Sequence, residues 1–382
     1  MQRDLFTEDH EAFRQTVRQF IAKEITPHLQ GWEDEGSLPR ELYRQTAEIG
    51  INGLQVPEEY GGGGIDSFLF NVVVYEEVGY AAASLGGLQV HLNTVLPYFL
   101  HYASDEQKDR WFPDFASGDL VASIAMTEPG IGSDLAGVQT TAVRDGDDFI
   151  LNGAKTFITG GILADLVIVV ARTDTAAENR RSGLSLLVVE SGMPGFVRGR
   201  NLDKLGLKSS DTAELSFTDV RVPARNVLGV EGDAFSMLTS NLPQERLSIA
   251  ITAQATATAA LNFAIDYVKE RKVFGKPLSG FQNTKFVLAE CATELEAGQA
   301  LLDRATAELD AGTLTVADAA KVKLFATEMQ ARVIDKCLQL HGGYGYMREY
   351  PIARLYADAR VTRIYGGTSE VMKSVISKSI GL

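Results

Sequence analysis

The hydrophobic periodicity of this chain changes twice, and those two changes constrain the fold more than any single residue. Over residues 7–120 the apolar positions recur at helical spacing. Phe13, Val17, Phe20 and Ile21 follow Thr7, a fitting N-cap, with Glu8 and Asp9 near the positive helix end, and Pro27 closes the run. A second helix is expected near Arg40–Ile49, stopping at Gly50. Further helical segments are expected around Phe68–Val78, Gly87–Tyr102 and Glu106–Ala116, with Gly61–Gly64 as a loop. Over residues 121–230 β-branched and alternating runs take over: Val121–Met126, Phe149–Leu151, Leu166–Ala171, Leu184–Val189 and Leu215–Phe217. Turn pairs such as Asp145-Gly146 and Pro194-Gly195 separate them. No helix of about 10–15 residues lies between the strands, so βαβ units are excluded and a small antiparallel sheet or barrel is expected. From about Ala234 the pattern is helical again, over Leu247–Lys272, Phe281–Asp310 and Thr315–Gln339. Leu324, Thr327, Ala331 and Ile334 give the last of these a mixed face, suited to a bundle that also meets another subunit. The expected fold is α+β, mostly α: an N-terminal helical domain over 1–120, a middle antiparallel β-domain over 121–231 and a C-terminal four-helix bundle over 232–382.

With 382 residues, 45% of them hydrophobic, the chain can bury a large core. The net charge of −14 disfavours nucleic acid as a partner. Cys291 and Cys337 are the two cysteines; both fall in helical patterns, outside any CxxC or His/Cys cluster, so neither a disulfide framework nor a metal site is expected. The opening MQRDLFTEDHEAF has no apolar leader core and is not arginine-rich, and no run reaches about 18 consecutive apolar residues. A bacterial cytoplasmic protein, or a mature organellar form, without a membrane span is expected. Gly130–Leu135 and Gly343–Arg348 both break the G-x-G-x-x-G pattern at its last glycine, and no P-loop is present, which argues against a Rossmann or P-loop enzyme.

Several segments occur in a characteristic order: VRQFIAKEITPH, AMTEPGIGSDLAG (Ala125–Gly137), LNGAKTFITGG (Leu151–Gly161), KLGLKSSDTAELSFTDVRVPARNVLG (Lys204–Gly229), ERKVFGKPLSGFQ (Glu270–Gln282), QLHGGYGY (Gln339–Tyr346) and IYGGTSE (Ile364–Glu370). Nearly end to end, the chain resembles the acyl-CoA dehydrogenases. That resemblance implies FAD, an acyl-CoA substrate and α,β-dehydrogenation to a trans-2-enoyl-CoA. A base takes the α-proton and the β-hydrogen leaves as hydride to flavin N5. It also implies an electron-transfer flavoprotein as redox partner and a homo-oligomer, usually a tetramer built as a dimer of dimers.

One position departs from most of that family. The catalytic glutamate usually follows the tyrosine of the last motif, and here Gly366 stands there. NLPQERLSIA (Asn241–Ala250) supplies Glu245 instead, at the helical position used by the long-chain and isovaleryl branches, which carry a small residue at the other site. The PQER segment is most similar to the long-chain branch. Glu370, four residues after Gly366, is the rival base. The resemblance gives Gly366 a second role, because its backbone N–H would bind the thioester oxygen together with a flavin ribityl hydroxyl.

The remaining site residues carry over from the matched motifs. Arg246, Leu242, Tyr365 and Gly367 would line the substrate pocket, with Arg246 orienting Glu245; Ser133 would sit on the CoA channel or the flavin side. Met126 and Thr127 would face the isoalloxazine, with Gly132 in the same motif. Phe157, Ile158 and Thr159 stand where Trp-Ile-Thr is common; Thr159 would bond near N5 and Phe157 would cover the flavin. Arg271, Phe274 and Gln282 would meet the adenine and pyrophosphate across a dimer interface, Gln339, Leu340, His341, Gly342 and Gly343 would form the second half of that grip, and Thr368, Ser369 and Glu370 would lie near the pyrophosphate. A positional role is expected for His341. Long straight or branched acyl chains are the expected substrates. The alternatives are a flavin oxidase on the same fold and a silent partner subunit.

Overall fold

The computed structural model describes residues 3–382; Met1 and Gln2, the start of the segment inspected for a leader, lie outside them. The first helices are α1 (Glu8–Phe20), α2 (Leu29–Glu35), α3 (Glu41–Glu48), α4 (Leu69–Tyr80), α5 (Gly86–Val90), α6 (Leu96–Tyr102) and α7 (Asp105–Ser117). The segment expected as one helix over Gly87–Tyr102 is divided: a π-helical turn, His91–Val95, joins α5 to α6. Pro97 near the start of α6 explains part of the break, because it has no N–H to give the preceding turn.

The middle strands are β1 (Ala122–Ala125), β2 (Thr141–Asp145), β3 (Asp148–Thr159), β4 (Leu166–Arg172), β5 (Leu184–Glu190), β6 (Phe196–Asn201), β7 (Thr212–Pro223) and β8 (Val227–Leu228). They form a sheet in the order β6-β7-β3-β2-β4-β5-β8, with β1 on β4. The sheet is not purely antiparallel. Ala122–Ala125 pairs in parallel with Leu166–Val169, which is possible because the β2–β3 hairpin, not a tight turn, connects the two strands. Strands β2 and β6 escaped the sequence pattern, since most of their residues are exposed, Val143 and Val197 included, and no buried alternation marks them. In β4 and β5 both faces are buried, and the period of two divides them between cores. Ile168, Val170, Leu186 and Val188 meet Phe99, Trp111 and Phe115 of the N-terminal helices, whereas Val167, Val169, Leu187 and Val189 pack inside the β-domain.

The last helices are α8 (Ala234–Glu270), α9 (Gln282–Asp310), α10 (Val316–His341), α11 (Pro351–Ala359) and α12 (Ser369–Ser379). Three long helices and two short ones thus build the C-terminal bundle. Helix α8 starts at Ala234, well before the alanine-rich stretch from Leu247, and runs through Pro243 for roughly 55 Å. It is apolar and long enough to cross a bilayer, but 67% of its most apolar window is buried inside the protein, as in a core helix. The helix threads three cores. Met237 and Leu238 join the core shared by the N-terminal helices and the sheet; Leu247 and Ile251 pack with α4, α9 and α10; Ala257–Ala264 lie in the bundle proper. Glu245 sits between the first two, where all three regions of the chain meet.

Candidate active site

Glu245 is buried, and its surroundings specify one orientation. Its Oε1 accepts a hydrogen bond from the Tyr98 hydroxyl at 3.0 Å and another from Asn241 Nδ2 at 3.1 Å. Asn241 is four residues upstream on the same helix face; Tyr98 comes from α6 and is itself fully buried. Burial pushes the Glu245 carboxyl up to about 7, while the two donors and the charge of Arg246 hold it back. A carboxyl that titrates near neutral pH, with one oxygen held and no hydrogen bond on the other, suits a general base.

The π turn supplies the acceptors that hold this part of α8. Thr94 C=O accepts from Asn241 Nδ2 at 3.2 Å, and Asn93 C=O accepts from Gln244 Nε2 at 3.2 Å. Pro97 cannot donate to the Asn93 carbonyl, which leaves that acceptor free for Gln244. Sequence reasoning found Glu245 but missed Tyr98. Asn241 was within reach as the i−4 neighbour of Glu245.

Gly366 lies against the same face of α8. It adopts φ +60°, and a Cβ placed on it would meet Ile249 Cδ1 at 2.3 Å. Ile249 is one helical turn after Glu245, so the helix face that carries the carboxylate also packs on the Gly366 backbone. The left-handed backbone favours glycine here, and the far end of the Ile249 side chain occupies the space beside it. Gly367 also has positive φ, +93°. Glu370, in contrast, is exposed in the first turn of α12, where backbone N–H and Thr368 hydrogen bonds hold its carboxyl below the usual range. Thr368 caps α12 through Val371 N, and Ser369 Oγ donates to Glu328 of α10 at 2.6 Å. Tyr365 is exposed and Leu242 half-buried.

Arg246 is buried but makes no hydrogen bond to Glu245, so it does not orient the carboxylate by contact. Its Nε and Nη1 have no partner, and burial lowers the guanidinium below its usual range.

Met126 and Thr127 follow β1 and are half-buried; Gly132 and Ser133 are exposed on the loop beyond. The Thr127 carbonyl accepts from Thr156 N at 2.9 Å, which ties this exit to β3. Beneath it lies a buried ion pair, Lys155 Nζ to Glu128 Oε1 at 2.9 Å, and the same Nζ donates to the Met126 carbonyl at 3.1 Å. Phe157 sits at a bulge in the β3–β7 pairing with φ +61° and is 67% exposed, a strained position that turns the ring outward. The Ile158 side chain points the other way, into the β-domain core, so only its backbone can face a ligand. Thr159 is half-buried.

A groove of about 480 Å³ brings together Arg271, Gln339, Leu340, His341, Gly342 and Gly343. Arg271 forms no ion pair among the described residues, and Gly342 and Gly343 have open space where a Cβ would stand. A guanidinium without an ion pair, held over the Tyr344 ring at 5.6 Å beside bare backbone, suits a pyrophosphate. His341 is buried, stacks on Tyr267 at 4.3 Å and bonds the Cys337 carbonyl through Nδ1, a positional arrangement. Phe274, 97% exposed at the hairpin tip, and Gln282, exposed at the start of α9, lie outside the groove lining. The donor set of the groove fits the phosphates of an FAD.

Family models for the N-terminal, middle and C-terminal domains of acyl-CoA dehydrogenases match residues 7–119, 123–220 and 232–381. A long-chain specific acyl-CoA dehydrogenase, mitochondrial, of Sus scrofa is 45% identical over 99% of this chain and 88% of its own length. The crystal structure of an acyl-CoA dehydrogenase from Geobacillus kaustophilus superposes with a TM-score of 0.98 at 47% identity, covering all of both chains. A glutaryl-CoA dehydrogenase from Mycobacterium smegmatis in complex with FADH2 gives a TM-score of 0.90 at 32% identity, over 99% of this chain and 95% of that one. With the whole length matched and the flavin-side features in place, the chain belongs to the acyl-CoA dehydrogenases, a family of FAD-dependent oxidoreductases.

Proposed function

We propose that this protein dehydrogenates long-chain or branched acyl-CoA thioesters to trans-2-enoyl-CoA, with Glu245 as the base. The observation that carries this is the contact between α8 and the last motif: Ile249, one turn from Glu245, fills the space a side chain at 366 would need. Base and oxyanion donor then come from two elements in contact. Glu245 takes the α-proton on Oε2, because Oε1 is engaged by Tyr98 and Asn241. The Gly366 N–H donates to the thioester oxygen as negative charge gathers there. A bound FAD would supply the hydride acceptor for the β-hydrogen. Met126, Thr127 and Thr159 orient its ring system, Phe157 covers it, and Arg271 with Gln339–Gly343 holds its phosphates. Leu242, Tyr365 and Gly367 line the acyl pocket, and Ser133 lies on the CoA side.

The name of the pig relative supports long chains, and an electron-transfer flavoprotein is the proposed acceptor. A dimer of dimers is the proposed assembly, in the bacterial cytoplasm or as a mature organellar form. Anaerobic titration of the yellow protein with butyryl- to stearoyl-CoA and methyl-branched acyl-CoAs tests the reading. Bleaching is expected with the longer or branched chains. Oxygen consumption without another acceptor would favour an oxidase, and a flavin-bound protein that none of these esters bleaches would be a silent subunit.

A further inference from the structure

The mechanism above leaves one buried cation unused. Lys323 of α10 is fully buried, and its Nζ donates to the Gly367 carbonyl at 2.7 Å, one residue past the proposed oxyanion donor. No carboxylate lies within ion-pair distance of it among the described residues. The charged groups that face it are Arg246 of α8, Glu328 of its own helix and Glu370 of α12. Arg246 is likewise buried, with two guanidinium nitrogens unpartnered.

Burial makes both cations costly to keep charged, Lys323 with no carboxylate at ion-pair distance and Arg246 with two nitrogens lacking hydrogen bonds. Such a cost is explained when negative charge develops beside them during the reaction, as it does on a thioester oxygen whose α-proton is leaving. Helix α10 holds the loop at other points. Gln330 Oε1 accepts from Thr362 Oγ1 at 2.8 Å, and Glu328 Oε1 accepts from Ser369 Oγ at 2.6 Å. Lys323 is the cationic member of this clamp, placed where the backbone is left-handed at both Gly366 and Gly367.

We propose that Lys323 is a positioning residue for the reaction: its ammonium fixes the Gly366–Gly367 backbone and adds positive potential behind the thioester oxygen. The inference rests on Gly366 acting as the oxyanion donor. Lys323 moves no proton; the α-proton goes to Glu245, and the charge left on the substrate oxygen is what Lys323 stabilises. Burial lowers the ammonium to about 8, so its support is lost as pH rises through that value.

The test uses an acyl-CoA with sulfur in place of the β-carbon, which can lose an α-proton but has no β-hydride to give. Exchange of its α-hydrogen with deuterium from solvent, read by mass spectrometry on the flavin-loaded protein, isolates the proton step. Lys323→Met is expected to slow exchange on the order of ten-fold, with flavin content unchanged. Lys323→Arg is expected to restore most of the rate and to move the alkaline limb near pH 8 upward, since a guanidinium stays charged. Lys323→Met exchanging at the wild-type rate with the wild-type pH profile would overturn the proposal. Should the Met variant fail to fold, an unchanged alkaline limb in the Arg variant overturns it instead. Glu245→Gln is run beside them: wild-type exchange in that variant would remove the base assignment, while the Lys323 variants still report on the oxyanion.

Discussion

Tyr98 and Asn241 both donate to Oε1 of Glu245, and hydrogen bonds to a carboxylate favour its charged form. As a base, Glu245 must be ionised, so kcat/KM should rise with pH through about 7. Removing the phenol in Tyr98→Phe withdraws one charged-form donor, and the acidic limb is expected to move to higher pH by about one unit. A limb that stays put or moves to lower pH would show that the phenol does not hold the base. The same burial has a stability consequence. The folded protein binds a proton on Glu245 more tightly than the unfolded chain, so stability falls as pH rises from about 4.5 to about 7 and is then level. Glu245→Gln removes that penalty. At pH 8 the variant is expected to be more stable than wild type by up to about 3 kcal/mol, and at pH 4 by little, in urea melts at the two values. At this scale the sequence displayed the missing glutamate at 366 and the candidate at 245. It could not display Tyr98, which is distant along the chain and meets Glu245 only through packing. Nor did it show that Arg246 acts without touching the carboxylate.

Elements explain why those residues meet. The π turn His91–Val95 and Pro97 leave carbonyls that hold Asn241 and Gln244, both just before Glu245, so α8 is fixed in rotation where Glu245 projects. In the β-domain, the Glu128–Lys155 pair does the comparable work under Met126 and Thr127. Glu128 also accepts from Gln139 N and Thr140 N at 2.8 and 2.9 Å. Lys155→Met would leave that carboxylate buried without its counter-ion, and a loss of about 3–5 kcal/mol is expected in chemical denaturation. A loss below about 1 kcal/mol would mean that the backbone donors alone satisfy Glu128. The long helices were legible because their apolar stripes persist for many turns. The middle of β3 was not, because Asn152–Lys155 carries no large apolar side chain and two bulges interrupt its alternation. The parallel β1–β4 pair was equally hidden, since strand direction is set by connectivity across the sheet and not by local pattern.

For the molecule as a whole, the order helices, sheet, helices was visible in the change of period, and Glu245 lies where the three parts share a core. How the surface is covered was less legible. Phe274 is 97% and Tyr346 85% exposed, near the groove proposed for the flavin phosphates. Exposed aromatic side chains of this size point to a surface that another subunit covers. Phe274→Asp is expected to lower both the assembly state in sedimentation and flavin retention on gel filtration. An unchanged assembly would place the interface elsewhere. The central claim, that the base has moved from the last motif to α8, is tested most directly by anaerobic flavin bleaching with palmitoyl-CoA in wild type and Glu245→Gln. The expected result is a wild type that bleaches and a flavin-bound variant slowed by at least the ~10²–10⁴-fold that general-base catalysis supplies. Equal bleaching in both would contradict the claim and turn attention to Glu370.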